Sequence, residues 1–248
     1  MQQYFVKGQA EPIVEIADKD TLKHMFSVMR LDNGDKLVLV FDDHIKRLSR
    51  VLDREKHLFE VIETLDSNVE LPIDVTIAVG FPKGDKLEFI AQKVTELGAA
   101  QVWAYPADWS VVRWDKKKLA KKADKLEKII QGAAEQSKRN RIPQLNLFER
   151  QSDFFDSISS FDKVLIAYEE SAKAGETATF AKEMTSITPG ERLLFIFGPE
   201  GGISPDEIEI LQSLGGQKIG LGPRIMRAET APLYVLSAVS YALELMKK

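Results

Sequence analysis

The sequence of 248 residues predicts an α/β protein preceded by a small β-rich part. Up to about residue 70, short β-like runs are separated by turn signals, as in DKLVLVF after Asn33-Gly34. After the polar stretch DSNVELP, apolar runs such as IDVTIAVGF and ERLLFIF alternate with helix-length amphipathic segments, the pattern of a mostly parallel sheet covered by helices. We therefore expect a small β-barrel or sheet over residues 1–70 and a mostly parallel α/β domain over residues 71–248.

The elements of the first part are short. Its predicted strands are YFV, PIVEI, DKLVLVF and HLFEVIETL, with one helix around residues 19–29. In the second part, the predicted strands are IDVTIAVGF, QVWAYP, KVLIAYEE, ERLLFIF and QKIGLG. Each of these runs is short and bounded by polar or glycine residues, so we read them as buried strands.

Four helices are predicted in the second part. Lys86 to Leu97 carries an apolar stripe and is followed by Gly98. Residues 116–138 bury one face and expose lysines on the other, and a further helix begins at Ser204, where SPDE predicts a capping box with proline at the first helical position. The last helix, about residues 230–247, is apolar nearly all round, which indicates burial, partly against another subunit.

Composition excludes several classes of site. The chain has no cysteine and three histidines, so disulfides and thiolate metal sites are excluded, and we expect no metal cofactor. No run of about 18 uncharged apolar residues is present, and the first residues lack the pattern of a signal peptide. We therefore expect a cytoplasmic protein with no membrane partner.

A basic segment stands out against the net charge of −4. Between Arg113 and Arg141, eleven basic residues face four acids. Such a concentration favours a polyanionic partner, although a lysine-rich helix face can also be merely solvated. Both interpretations stay open at this point.

The stretch FIFGPEGGISPDE places a glycine-rich loop, Gly198 to Gly202, directly after a buried strand. Ligands of open α/β sheets bind at the carboxyl ends of the strands, and glycines let a ligand approach the backbone. A tight turn that needs glycine for its own geometry is the alternative. Because the loop carries Glu200 and no lysine, and the chain lacks G-x-x-x-x-G-K-[ST] and G-x-G-x-x-G, a phosphate ligand is disfavoured and a cationic or hydroxyl-bearing one fits better.

Two further strand ends have similar loops. QKIGLG continues into GPRIMRAETAP, where Arg224, Arg227 and Glu229 lie near backbone groups that would line the same pocket. The alternative is that the arginines pair with nearby acids and that Glu229 favours the helix dipole. The strand ending at Tyr168 opens into Glu169-Glu170-Ser171. Three strand ends that face one crevice predict a pocket.

The phrases KVTELGA, AAEQSKRNRIP, GPEGGIS and LGPRIMRAETA together resemble the bacterial small-subunit ribosomal RNA uridine-N3 methyltransferases, which belong to the SPOUT class. The resemblance covers nearly the whole chain. It implies a PUA-like β-barrel, a C-terminal α/β domain with a deep trefoil knot, a homodimer, S-adenosylmethionine as the cofactor with S-adenosylhomocysteine as its product, and 16S ribosomal RNA or the small ribosomal subunit as the partner. The chain departs from the family pattern at Gln3 and Trp109, where arginine is usual, and at Lys23, where histidine is usual; Arg30 matches.

The resemblance also implies the functional residues. Those expected to bind the cofactor are Tyr168, Glu169, Glu170, Phe197, Gly198, Pro199, Glu200, Gly201, Gly202, Leu221, Gly222, Ile225 and Met226. The basic segment, together with the family match at Arg30, gives the residues expected to bind RNA: Arg30, Arg113, Lys117, Lys121, Arg139, Asn140 and Arg141. For Asn140 the alternative is capping of a turn. One of Trp103, Trp109 and Trp114 is a candidate for stacking on an unpaired base, burial being the alternative.

For the reaction, removal of the N3 proton calls for a base and a group that stabilises the charge on the uracil oxygens. Arg227 or Arg224 is expected to stabilise that charge, and Glu229 or Glu200 to accept the proton. Two other functions stay open: a methyltransferase of the same class that acts on transfer RNA or on a ribose 2′-hydroxyl, and a non-catalytic RNA-binding ribosome-assembly factor.

Overall fold

The computed structural model describes residues 1–168 and 178–246. The chain divides into two compact units. The first contains residues 1–70 together with 134–141, and the second contains residues 71–133 and 142–248, of which the described part is considered below.

The first unit is built on a five-stranded sheet with the order β1-β3-β4-β5-β2. The strands are β1 (Gln3–Phe5), β2 (Ile13–Glu15), β3 (Lys36–Val40), β4 (Lys46–Asp53) and β5 (Leu58–Thr64). β1 pairs with β3 in parallel, and the other pairs are antiparallel. The predicted helix comprises α1 (Lys19–Lys23) and a π-helical turn (His24–Val28), and its Met25 packs into a core with Leu39 and Phe59.

β4 is absent from the prediction because its sequence, KRLSRVLD, does not alternate cleanly between apolar and polar residues. Its charges are accommodated by partners on neighbouring segments. Arg47 pairs with Asp43 and lies 5.3 Å above the Phe41 ring, and Arg50 pairs with Glu60 on β5. Cross-strand pairing thus stabilises a strand that composition disfavours.

Within the first unit, a buried ion pair joins residues 134–141 to residues 1–70. The Glu70 carboxylate accepts hydrogen bonds from Arg139 Nε at 2.9 Å and from the Asn140 backbone N–H at 2.7 Å, and Arg141 Nε lies 3.2 Å away. Gln3, one of the departures from the family pattern, is buried and donates to the Arg139 carbonyl oxygen at 2.7 Å. These residues are part of the interior of the first unit.

The second unit contains a six-stranded sheet with the order β11-β9-β10-β6-β7-β8, and every pair is parallel. The strands are β6 (Asp74–Gly80), β7 (Gln101–Tyr105), β8 (Gln144–Leu147), β9 (Lys163–Ala167), β10 (Arg192–Phe197) and β11 (Gln217–Ile219). The predicted parallel sheet is confirmed. β8 is missing from the prediction because QLNL is short and only half-buried.

Helices cover both faces of this sheet. They are α2 (Lys86–Glu96), α3 (Lys116–Gln136), α4 (Gln151–Ser157), α5 (Ala178–Ser186), α6 (Pro205–Ser213) and α7 (Ala231–Ser240), which continues as a π-helical turn (Tyr241–Leu245). One core packs α2, α3, α5 and α7 against side chains such as Phe195, and the other packs α4 and α6 against side chains such as Ile196. Successive residues of a strand point to opposite faces, so a central strand buried on both must be apolar throughout, as RLLFIF is after its first residue.

The C-terminal helix shows two kinds of surface. Val235, Leu236 and Val239 are fully buried in the core of the second unit, whereas Tyr241 and Leu245 are exposed. The chain therefore buries one side of this helix and leaves an apolar side uncovered. Within the described ranges, no helix is both long enough and apolar enough to cross a membrane.

Candidate active site

The carboxyl ends of three adjacent strands open into a cavity of about 550 Å³. β9 lies between β10 and β11, so the ends of all three face the same edge of the sheet. The wall consists of the end of β9, the loop 198–202 after β10, and the loop 220–230 between β11 and α7. Its size is in the range usual for small-molecule sites, and its position is where open α/β sheets bind ligands.

Most sequence-predicted site residues are brought together here. Those lining the cavity are Tyr168, Phe197, Gly198, Pro199, Glu200, Gly201, Gly202, Leu221, Gly222, Arg224, Ile225, Met226 and Arg227. Glu169 and Glu170 lie outside the described residues. The wall also contains Lys86 and Trp109, which sequence reasoning did not assign to it.

Gly198 is required by the closure of its own loop. A Cβ at this position would lie 2.4 Å from the carbonyl carbon of Gly202 and 2.5 Å from its oxygen. Gly80 at the end of β6 has a related role, because a Cβ there would lie 2.5 Å from Cδ of Pro199. Two glycines thus allow the loop to fold tightly onto the sheet.

Gly201 and Gly202 face Trp109. A Cβ on Gly201 would lie 3.1 Å from Cβ of Trp109, and one on Gly202 would lie 3.8 Å from the indole ring. Gly202 also has a φ of +84°, which disfavours every residue with a side chain. Gly202 is therefore needed for the turn, and both glycines leave room for the Trp109 side chain. The alternative of a glycine-dependent turn thus applies to part of this loop.

An ion cluster joins the two loops. Lys86 Nζ lies 2.9 Å from Oε1 of Glu200 and 3.3 Å from Oε2 of Glu229, and the Lys83 backbone N–H donates to Glu200 at 3.1 Å. Burial alone would raise the pKa of Glu200, but the bonds from Lys86 and Lys83 outweigh it and lower that pKa. Glu200 is therefore a paired carboxylate rather than an open negative charge awaiting a ligand.

Glu229 differs from Glu200 in its hydrogen bonding. Its Oε2 atom is buried and forms no hydrogen bond with the described residues, since Lys86 lies at ion-pair distance without the alignment of a hydrogen bond. Its Oε1 lies 4.0 Å from Nη1 of Arg227, whose side chain is 86% exposed. Arg224 is also exposed and forms no ion pair within the described part of the chain. The sequence left open that Arg224 and Arg227 pair with nearby acids. Arg227 forms such a pair only at the limiting distance of 4.0 Å.

Behind the loop, a polar cluster fixes the start of α6. Ser204 and Glu207 form the predicted capping box, with distances of 3.0 and 3.1 Å, which confirms that prediction. The Ser204 hydroxyl donates to Asp108 at 2.6 Å, and the Gln151 amide donates to Glu207 at 2.7 Å. Burial, followed by the charge of Asp108, raises the pKa of Glu207. This cluster holds the start of α6, and with it the end of the glycine loop, while its four side chains lie outside the cavity wall.

The predicted RNA-binding residues fall into two groups. Arg113, Lys117 and Lys121 are exposed in the second unit, and Arg30 is exposed in the first with a φ of +56°. Arg141 is half-buried beside Glu70. These side chains, Arg141 in part, are accessible to a polyanion.

Arg139 and Asn140 require a correction. Arg139 is only 2% exposed and is paired with Glu70, and the Asn140 amide bonds the carbonyl oxygens of His44 and Ser67 at 3.0 Å each. A buried guanidinium that already has a carboxylate partner cannot contact a phosphate without first losing that partner. Both residues therefore have a structural role, which the local run of basic residues did not reveal.

The tryptophans also separate. Trp103 is buried against Phe148, and Trp114 is buried and stacked on Phe81 at 4.2 Å, with Lys122 Nζ 5.1 Å from its ring. Trp109 is 48% exposed and lines the cavity. Burial is the outcome for two of the three tryptophans, and Trp109 alone among them is accessible.

The donor set of the cavity fits S-adenosylmethionine. Apolar side chains such as Leu221 and Met226 border backbone groups that glycine leaves accessible, and the nearest ionised cluster has two carboxylates and one ammonium. Lys86, Arg224 and Arg227 also line the cavity, so the fit rests on these apolar and backbone groups and not on the net charge. Across residues 1–168 and 178–246, no group of three or more metal-ligating side chains is found.

A parallel α/β domain with a cavity at its strand ends, together with a separate β-rich unit, matches the architecture of the RNA methyltransferases. A family model described as an RNA methyltransferase domain matches residues 69–240, and one described as an RNA methyltransferase PUA domain matches residues 16–64. The chain belongs to this RNA methyltransferase family. The predicted kinds of domain, PUA-like and methyltransferase, are thereby confirmed, and the bounds 1–70 and 71–248 stay predictions.

Individual relatives agree. The chain is 43% identical to the ribosomal RNA small subunit methyltransferase E of Bacillus subtilis, over 100% of this chain and 99% of that protein. A putative methyltransferase from Legionella pneumophila, solved with its bound cofactor SAM, is 28% identical with a TM-score of 0.84 and 97% coverage of both chains. A ribosomal RNA small subunit methyltransferase E from Neisseria gonorrhoeae, bound to S-adenosyl methionine, is 25% identical with a TM-score of 0.82 and the same coverage.

Proposed function

We propose that this protein transfers a methyl group from S-adenosylmethionine to N3 of a uridine in 16S ribosomal RNA and releases S-adenosylhomocysteine. The observation that carries the proposal is the cavity at the ends of β9, β10 and β11, whose wall collects residues from the end of β9 and from the two loops 198–202 and 220–230. Relatives similar over nearly their whole length are small-subunit ribosomal RNA methyltransferases, and two similar structures hold this cofactor.

The cofactor would supply an electrophilic methyl group on a sulfonium. Leu221, Ile225 and Met226 would contact its apolar surfaces, and backbone groups of Gly198 and Gly222 would meet its hydroxyls and its adenine edge. Gly222 has a φ of +90° and open space where a Cβ would stand, so its backbone is accessible from the cavity. Most of the rate enhancement then comes from positioning the uracil nitrogen for in-line attack.

The acid–base roles follow from the ion cluster. Glu200 is a poor proton acceptor because Lys86 and the Lys83 N–H lower its pKa. Across residues 1–168 and 178–246, Oε2 of Glu229 is buried and has no hydrogen bond, so Glu229 is the better candidate to accept the N3 proton, directly or through a water molecule. Arg227 and Arg224 line the cavity and would stabilise the negative charge that develops on the uracil oxygens.

Trp109 is proposed to stack on the target base or on a neighbouring base. It is the accessible tryptophan, it lies against the cofactor loop at Gly201 and Gly202, and it lines the cavity. Unpaired bases are commonly held by stacking on aromatic side chains, at about 1–3 kcal/mol per base. The family pattern has arginine at this position, and the tryptophan offers a stacking surface instead.

RNA affinity is proposed to come from phosphate contacts of Arg113, Lys117 and Lys121 in the second unit and of Arg30 in the first. Lys122 and Lys125 both lie within 3.1 Å of Glu88, so their charges are already partly compensated. The basic helix therefore contributes mainly through its other lysines.

A homodimer and a cytoplasmic location are also proposed. The exposed apolar side of the last helix, with Tyr241 and Leu245, is the kind of surface that a second copy would cover. Ribosomal RNA as substrate would require access to ribosomes or their precursors, which supports a cytoplasmic location.

The test is transfer of labelled methyl groups from S-adenosylmethionine to purified 16S RNA, small subunits and transfer RNA. We expect labelling of 16S RNA or the small subunit. Labelling of transfer RNA alone would favour the other methyltransferase, and tight RNA binding without transfer would favour the assembly factor. Under single turnover at saturating cofactor, Arg227→Ala and Glu229→Gln should each lower the rate at least about tenfold. Arg192→Ala and Glu209→Gln serve as matched controls, because both lie outside the cavity wall, whereas Arg227 lines it and Glu229 pairs with Lys86 of the wall.

A further inference from the structure

Lys86 occupies a position that joins separate parts of the candidate site. It is the first residue of α2, which follows β6, and it lines the cavity at the ends of β9, β10 and β11. Its Nζ atom lies 2.9 Å from Glu200 in the loop after β10 and 3.3 Å from Glu229 in the loop before α7. One ammonium group therefore contacts both loops that form the wall.

The geometry leaves few other groups to balance these carboxylates. Among the described residues, Glu200 also accepts the Lys83 backbone N–H, and Glu229 lies 4.0 Å from the largely exposed Arg227. Oε2 of Glu229 is buried and has no hydrogen bond within the described part of the chain. Without the Lys86 ammonium, two partly buried carboxylates would face each other across a short gap, and this arrangement is unfavourable.

We propose that Lys86 is a positioning residue, which holds loop 198–202 and loop 220–230 in the relative arrangement that binds the cofactor. The inference rests on the proposed function, because it assigns Lys86 a task toward S-adenosylmethionine. Lys86 acts through Glu200 and Glu229, both of which contact its Nζ atom. The two carboxylates in turn raise the pKa of Lys86, and Glu200 contributes more to this rise than Glu229. The ammonium therefore stays charged at neutral pH.

Calorimetric titration with S-adenosylmethionine, without RNA, tests this role. Lys86→Met should weaken cofactor binding by about 5- to 150-fold at about pH 7.5, the usual range for coupling through a rearranged contact. The deficit should shrink as the pH is lowered toward about 5.5, since a proton shared by the two carboxylates relieves their repulsion. Lys86→Arg keeps the charge and should bind within a few fold of wild type.

Lys93→Met is the matched control. Lys93 lies on the same helix and pairs with one carboxylate, Glu96, at 2.8 Å and comparable exposure, away from the cavity wall. This variant should bind the cofactor as wild type does. The double variant Lys86→Met/Glu229→Gln should recover affinity relative to Lys86→Met, because one of the two opposed charges has been removed; it also serves if Lys86→Met alone folds poorly.

The outcomes are distinct. Wild-type protein that binds no S-adenosylmethionine would refute the proposed function, and this inference with it. Wild-type binding with equal affinity and equal pH dependence in Lys86→Met would overturn the inference and leave the function standing. Equal losses in Lys86→Met and Lys93→Met, or no recovery in the double variant, would also overturn it, since both point to general destabilisation.

Discussion

Replacing Gly198 by alanine tests whether the tight loop after β10 shapes the site. The added Cβ would lie 2.4 Å from the carbonyl carbon of Gly202 and 2.8 Å from its Cα. These are backbone atoms, and contacts shorter than about 3.4 Å must be relieved by movement of the loop itself. Overpacking of this kind costs about 1–3 kcal/mol.

That cost should appear mainly as weaker ligand affinity. If loop 198–202 opens to accept the alanine methyl group, the cavity wall moves, and about 1–3 kcal/mol corresponds to about 5- to 150-fold weaker binding at roughly 1.4 kcal/mol per tenfold. The assay is calorimetric titration of S-adenosylmethionine into Gly198→Ala and wild-type protein, with thermal unfolding measured in parallel.

Gly132→Ala is the control for the same chemical change. Gly132 lies within α3, and a Cβ there would meet nothing within 4 Å. Gly198→Ala protein that is folded and binds the cofactor as tightly as wild type would show that the closure of this loop does not shape the site, and the reasoning would be refuted.

Three further predictions concern stability and RNA. Glu70→Gln should lower the free energy of unfolding by about 3–5 kcal/mol at neutral pH, because it leaves the buried Arg139 without its carboxylate. Gly132→Ala should raise the free energy of unfolding by about 0.4–1 kcal/mol, since alanine favours the helix and restricts the unfolded chain. Lys117→Glu/Lys121→Glu should weaken RNA binding and reduce the salt dependence, by about 0.7–0.9 in the slope for each phosphate that the protein no longer neutralises.

The stability prediction for Glu70 has a defined pH dependence. Burial raises its pKa, but the bonds from Arg139 and Asn140 outweigh burial, so the folded-state pKa lies below the ordinary value of 4.5. A depressed pKa in the folded state means that the stabilisation is present above the ordinary pKa and disappears as the pH falls through the folded value. Urea titrations of wild type and Glu70→Gln should therefore converge in acid, and a constant gap down to the lowest pH would contradict this account.

The other two predictions have equally direct contradictions. Unchanged or lower stability in Gly132→Ala would show that this glycine meets a constraint other than helix propensity. RNA affinity unchanged after reversal of Lys117 and Lys121 would assign that helix face to solvation. A matched control for the double reversal is Lys122→Glu/Lys125→Glu, because the charges of Lys122 and Lys125 are partly compensated by Glu88 and should matter less.

Local patterns predicted much of this molecule because local physics decides those features. The capping box at Ser204 is encoded within four residues, and the strands of the parallel sheet are short apolar runs between polar breaks. The ends of β9, β10 and β11 could be expected to share an edge because parallel strands end on the same side. The trefoil knot was implied by the resemblance alone and stays a prediction.

Features that depend on distant partners could not be predicted. Lys86 looks like an ordinary first-turn lysine, and its partners Glu200 and Glu229 come more than a hundred residues later. Arg139 sits in a run of basic residues, but Glu70, far earlier in the chain, makes it structural. Trp109 gave one signal, since it replaces the arginine of the family pattern, yet only the fold places it against the glycine loop.

The central claim is that this protein methylates N3 of a uridine in 16S ribosomal RNA, and mapping the product tests it most directly. Purified protein, S-adenosylmethionine and small subunits or 16S RNA from cells lacking the gene would be incubated, and the RNA digested to nucleosides and fragments for mass spectrometry. We predict N3-methyluridine at one position, absent without protein and strongly reduced with Arg227→Ala. Methylation of a ribose, methylation of another base, or no transfer to any 16S RNA substrate would contradict the account.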